Sequence, residues 1–335
     1  MRTFLRKAAS AVVLANDNLS EATLSIGYAN GECLAFNRRL RGKDGSTRMN
    51  WEVFMPDFDP DEIAGAWGPI DPQLACLVIE RDGRPVAAGV NFGLHPAILA
   101  GDNWLYSADF PCYLAEALRR TIGNDFTCLF FNGCCGNVNH VDYRDTMQGR
   151  GYQMAQRVGY MLAAMAHQAM NHRVPVQADS LAVISEKTTL PRIEISQEQR
   201  RWSKQMLEEA RINPPRGCVD GVPDAYYADL YMQMCDKQHC PDEVEVMAIR
   251  LGDVAMVGLP GEMFCESGME IKSRSPFSHT LVSGLSNDAI GYLPTQESFR
   301  QGGYEAATGT TLYEQGAAEL LVASAAAELS RLFST

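Results

Sequence analysis

Short apolar runs punctuate the chain at 75–80 (ACLVIE), 86–92 (VAAGVNF) and 127–131 (TCLFF), and each predicts a buried strand. Similar runs at 180–185, 245–251, 253–259 and 279–284 predict further strands. Several are continuous rather than alternating, so the sheets they form should be covered on both faces. Between the strands the period lengthens. In 109–122, Phe110, Leu114, Leu118 and Ile122 recur every fourth residue, with Pro111 in the first turn and Gly123 as a stop. In 151–170, Met154, Val158, Met161, Leu162, Met165 and Ala169 mark a second helix, and Leu321, Ala325, Leu329 and Leu332 mark a last one over 316–333. The fold class that follows is α/β, with mixed sheets covered by helices.

Between 193 and 243 the pattern changes to a charged helix (196–211), a Pro-Pro-Arg-Gly break and an aromatic helix around DAYYADLYMQM. Tyr227, Leu230, Tyr231 and Met234 form a stripe on that second helix, the ordinary signature of packing. No internal repeat or low-complexity linker interrupts the chain. Residues 1–335 are therefore expected to form a single α/β domain with a helical excursion at about 193–243. At the start, three basic residues precede a short apolar run, the outline of a secretory signal. The spacing of Phe4, Leu5, Ala8, Val12 and Ala15 fits one face of an amphipathic helix better.

Composition narrows the partners. With 46% hydrophobic residues in 335 the chain can bury a sizeable core, and a formal charge of −12 argues against a nucleic-acid groove. No apolar run reaches the roughly 18 residues of a membrane span, so no transmembrane segment is expected. A small neutral or N-acylated substrate suits the balance better. Ten cysteines fall short of a disulfide framework, which predicts reduced thiols and a cytoplasmic location. Cys235, His239 and Cys240 supply ligand atoms without a second half at metal-finger spacing. Adjacent Cys134 and Cys135 read as packing in a tight turn, since a disulfide between neighbours is strained and easily reduced.

No nucleophile elbow, phosphate-binding loop or H-E-x-x-H helix is present. What remains is polar residues at the ends of predicted strands, where α/β folds place their sites. His95 follows the strand 86–92 and precedes Pro96; alone it reads as a core or turn histidine. Glu262 follows Pro260-Gly261 and is expected to open the next helix, where the dipole alone would favour a carboxylate. Tyr292 and Tyr304 stand in a long Gly-rich loop, NDAIGYLPTQESFRQGGYE.

Taken in order with NRR (Asn37 to Arg39), GPIDP (Gly68 to Pro72), SADFP (Ser107 to Pro111) and the turn NGCCGNVN, these segments resemble the neutral/alkaline (non-lysosomal) ceramidase family from about residue 27 to about 315. The resemblance implies a ceramidase-like catalytic domain with a zinc ion that activates water to cleave an amide. Carried over by position, it implies His95, Glu262 and Tyr292 as zinc ligands, and Arg38 and Tyr304 as active-site residues. The family's upstream His-Thr-His segment has no counterpart, because no histidine precedes His95. Either the start is truncated or His140 supplies the absent imidazole. The family's Gly-Asp-Val-Ser-Pro turn reads Gly136-Asn137-Val138-Asn139-His140 here, which puts Asn139 where the catalytic serine would stand and makes ceramide itself a poor substrate. No counterpart of the family's C-terminal β-sandwich domain is expected within these 335 residues. The expectation is a zinc-dependent hydrolase of a linear amide bond, or else an inactive relative that binds a ligand or partner in the former cleft.

Overall fold

The computed structural model describes residues 2–101, 103–213, 223–235, 237 and 239–335. The chain opens with α1 (Arg2–Asp17), β1 (Thr23–Asn30), β2 (Phe36–Asn37), β3 (Arg39–Gly42), β4 (Thr47–Met49) and β5 (Ile63–Ala66). Next come β6 (Gln73–Arg81), β7 (Arg84–Phe92), α2 (Phe110–Ile122), β8 (Thr127–Asn132), β9 (Val138–Asn139) and α3 (Gly151–Asn171). The middle of the chain supplies β10 (Val174–Val176), β11 (Leu181–Leu190), α4 (Gln197–Ile212), α5 (Asp224–Cys235), β12 (Asp242–Leu251) and β13 (Val254–Gly258). It ends with β14 (Glu262–Met263), α6 (Cys265–Arg274), β15 (His279–Ser283), β16 (Tyr292–Leu293), α7 (Gln296–Gln301) and α8 (Ala317–Phe333).

Two mixed sheets carry the fold. The first runs β10-β1-β6-β7-β8, antiparallel except for the parallel pair β7 and β8. The second runs β11-β12-β13-β15 and ends in the parallel pair β13 and β15. Asp82 and Gly83, at φ of 50° and 72°, make the tight turn that folds β6 back onto β7.

The period of two along β6 shows why its apolar run is continuous. Leu74, Cys76 and Val78 pack with Leu114 and Leu118 of α2 and Val158 and Leu162 of α3. Ala75 and Leu77 point the other way, against Val254 and Leu281 of the second sheet. The far face of that sheet is closed by Ile271 of α6 and Leu321, Ala325 and Leu329 of α8. The layers are therefore helix, sheet, sheet, helix, and sheets buried on both faces match the expectation for the central strands.

Three expectations change. The run 180–185 lies in an edge strand whose Leu181 and Val183 are exposed. The amphipathic helix α1 forms, but buries none of its residues and leaves Phe4, Leu5 and Val12 in solvent. Glu262 does not open a helix: its amide donates to the Gly291 carbonyl within β14, and α6 begins at Cys265. In the excursion, α4 starts at a capping box of Ser196 and Gln199, and α5 packs against it with Tyr227 and Met234 buried. The Pro-Pro-Arg-Gly break lies outside the described residues. Among the described residues every cysteine is free, and no helix is long and apolar enough to cross a membrane.

Candidate active site

Both parallel strand pairs end at the same edge of the sandwich, and the predicted residues gather there. Asn91, near the end of β7, fixes the alignment by donating to the carbonyls of Phe131 on β8 and Val282 on β15 (3.0 Å each). The chain leaves β7 through Gly93 and Leu94 to His95, and leaves β8 through the turn 133–137 into β9. Gly136 donates to the Met263 carbonyl at 2.7 Å, so that turn is stitched to β14. Glu262 and Tyr292 are direct partners in the parallel pair β14 and β16, and the register brings a carboxylate beside a phenol.

His95 Nε2 lies 2.8 Å from Glu262 Oε2 and 3.2 Å from the Tyr292 hydroxyl. On its other side Nδ1 donates to the carbonyls of Cys135 (2.6 Å) and Val138 (3.2 Å). That fixes the ring orientation and leaves Nε2 facing the two oxygens. Burial lowers the pKa of His95, but Cys135 and the hydrogen bond to Glu262 raise it, and the balance is about 9. Burial likewise raises Glu262, yet His95, Tyr292 and Arg38 bring it below the usual carboxylate range. Tyr292 stays protonated, because burial pushes its phenol up further than Arg38 pulls it down.

Arg38 sits behind this group, 5% exposed, with its guanidinium 5.1 Å from the Tyr292 ring, 5.3 Å from Trp51 and 5.9 Å from Tyr304. Its Nε donates to Glu305 Oε1 at 2.6 Å, while Arg39 Nη1 donates to Glu305 Oε2 at 2.8 Å. Burial lowers the pKa of Arg38, but Glu305 and Tyr292 more than offset it and keep the side chain charged. Arg38 Nη2 is buried with no hydrogen-bond partner among the described residues. Tyr304 packs edge-on to Tyr292 at 5.7 Å, and burial raises its phenol to about 12.

These groups open on a cavity of 390 Å³ whose walls include Arg38, His95, Tyr292 and Tyr304, with Phe54, Met55 and Ile98 supplying apolar surface. Asn139 and His140 reach the same cavity by another route. Both ends of the Asn139 amide pair with Asn50, donating at 2.9 Å and accepting at 2.7 Å, so its polar atoms hold the turn. Asn137 ties the turn to α6 by donating to Glu266 (2.8 Å) and accepting from the Cys265 amide (2.9 Å). His140 makes no hydrogen bond to His95, Glu262 or Tyr292, and its Nδ1 is buried without a partner among the described residues. Burial and then Arg150 lower its pKa to about 4, so the ring is neutral.

The structure thus brings His95, Glu262, Tyr292, Arg38 and Tyr304 into contact, and sets Asn139 and His140 on the cavity wall outside that group. The donor set suits a zinc ion: an imidazole oriented through its second nitrogen, a carboxylate and a phenol oxygen converge. Among the described residues no three His, Cys, Asp or Glu side chains gather where a metal could sit, so the set depends on Tyr292 as its third member. Cys235, His239 and Cys240 form no such group either. Cys134 is buried against Gly268, and burial pushes its thiol well up, as packing requires. Four contributors went unseen in the sequence: Glu305, Asn50, the Cys135 carbonyl and Arg150. Glu305 had a signal, since it adjoins Tyr304 in the Tyr-Glu pair.

No protein-family model matches the sequence, and no curated protein matches it significantly. Solved structures do match. The crystal structure of neutral ceramidase from Pseudomonas aeruginosa superposes with a TM-score of 0.66 at 16% identity, over 96% of this chain and 54% of that one. A ceramidase complexed with C2 gives 0.65 at 16% identity, over 96% and 55%. The chain spans about half the length of these structures and shares their fold over that half.

Proposed function

We propose that the chain is a zinc-dependent hydrolase of a linear amide bond, ceramidase-like in fold, acting on an N-acyl substrate other than ceramide. The observation that carries this reading is the convergence of Glu262 and Tyr292 on His95 Nε2. His95, Glu262 and Tyr292 would hold the metal, and a zinc ion there would supply Lewis acidity toward the amide carbonyl and toward water. The other roles belong to side chains. Arg38, charged and with a free Nη2, stabilises negative charge on the carbonyl oxygen as water adds. Cys135 and Val138 hold the His95 ring through their carbonyls. The protonated Tyr304 phenol is the nearby proton source for the departing amine. The products are a carboxylic acid and an amine.

A second reading, an inactive relative that binds a ligand in the same cleft, draws support from Asn137 and Asn139, whose side chains are engaged in the scaffold. Two measurements decide. Protein purified without chelator should carry about one equivalent of zinc, falling below about a tenth in His95→Ala. It should also hydrolyse at least one N-acyl compound in a panel, with the activity lost in Glu262→Gln. Zinc below a tenth of an equivalent and unchanged by His95→Ala removes the metal; zinc without turnover of any panel member favours the binding protein.

A further inference from the structure

The cavity is electrostatically lopsided. Its walls carry Arg38 and Arg150 and no carboxylate among the described residues, and the carboxylate behind His95, Glu262, is already bonded to that ring. Behind it a single carboxylate, Glu305, serves two buried arginines, which leaves one buried positive charge without a counterpart in that trio. Two nitrogens of cavity-wall side chains are buried and unpartnered among the described residues, Arg38 Nη2 and His140 Nδ1. Arg150, exposed on the cavity wall, lies over Phe54, 4.7 Å from the ring centroid. It is also the N-cap residue of α3, a 21-residue helix with no side-chain cap and no acidic residue in its first turn. The positive end of that helix dipole therefore opens beside Arg150 uncompensated.

We infer that Arg150, His140 and the uncapped N-terminus of α3 form a carboxylate subsite, and that the preferred substrates are N-acyl amino acids or related N-acyl acids. The inference deepens the proposed hydrolase reading and takes its substrate class from it. Arg38 contacts Tyr292 and serves the scissile carbonyl; Arg150 and His140 stand apart from the Glu262–Tyr292 pair and serve the second, anionic end of the ligand. A guanidinium beside a neutral imidazole N–H gives a carboxylate the charge-assisted bonds that a neutral amide cannot make. Phe54, Met55 and Ile98 offer apolar surface for the part between. A cavity of 390 Å³ is near the low end of small-molecule sites and suits a ligand of this size.

The test is titration calorimetry with N-acetyl-leucine and its neutral isostere N-acetyl-leucinamide, on the wild-type chain and on Arg150→Gln, with hydrolysis of both compounds followed in parallel. Wild type should bind the acid about tenfold or more tightly than the amide, and Arg150→Gln should bring the two within about threefold. Arg150 is exposed, so the substitution leaves the core untouched. Equal affinities in wild type, a preference that survives Arg150→Gln, or no binding of the acid at about 10 mM each overturns the subsite. The two readings fail separately: selective binding of the acid with no turnover of any N-acyl compound in the panel ends the hydrolase and keeps the subsite, whereas equal hydrolysis and binding of both compounds keeps the hydrolase and ends the subsite.

Discussion

Glu305 holds the site together from behind. It is fully buried, and its two oxygens are bound separately by Arg38 and Arg39. Arg39, itself 1% exposed, carries the restraint onward by donating through Nη2 to the carbonyls of Gly302 (2.7 Å) and Ser298 (3.2 Å). The loop that delivers Tyr304 is thus pinned to β3 by one guanidinium. Glu305→Gln would leave two buried guanidinium groups with no neutralising charge, and breaking such a pair typically costs about 3–5 kcal/mol. Urea unfolding should show a loss of that order, together with a weakened hold on Tyr304. A change below about 1 kcal/mol would mean that water or another group already neutralises the cluster.

At the scale of the element, the turn 133–140 is the part on which the site depends most. A Cβ on Gly136 would fall 2.3 Å from the Glu262 carbonyl oxygen and 2.9 Å from that of Met263, so only glycine lets the turn lie against β14. Gly136→Ala should push the two apart, break the 2.7 Å bond to Met263 and move Glu262 relative to His95. We expect a loss of about 1–3 kcal/mol in unfolding, with zinc content reduced in step. Gly101→Ala, where a Cβ meets nothing within 4 Å, is the control and should stay within about 0.5 kcal/mol. The turn also shows what sequence can convey. Apolar runs and fourfold spacing located the central strands and the helices α2, α3 and α8, because burial imposes those periods directly. Order along the chain picked out His95, Glu262 and Tyr292. Pairing did not show: Glu262 meets Tyr292 through a two-residue parallel register set by distant segments, and the Cys135 carbonyl acts through backbone that any residue supplies. Adjacent thiols drew attention to the turn, yet its contribution is geometric.

Across the whole molecule, the last helix seals the outer face of the second sheet, and in doing so buries a carboxylate. Glu328 on α8 is 1% exposed, and neither of its oxygens has a hydrogen-bond partner among the described residues. Burial raises its pKa to about 8, with Glu186 and Glu245 adding repulsion that Arg331 partly offsets. The unfolded chain ionises this group near 4.5, so the folded state binds its proton more tightly. Stability from that proton is complete below about pH 4.5, drains away as the pH rises toward 8, and is gone above it. Glu328→Gln keeps the shape of the side chain and removes the titration. The variant should match wild type below about pH 4.5 and exceed it by about 1–3 kcal/mol near pH 9, with the gap opening between those limits. Chemical unfolding of both proteins across that range measures the difference directly, since every other titrating group is common to the two. A gap that stays constant with pH would show that Glu328 remains ionised against the sheet, with Arg331 as a full counter-ion rather than a partial one.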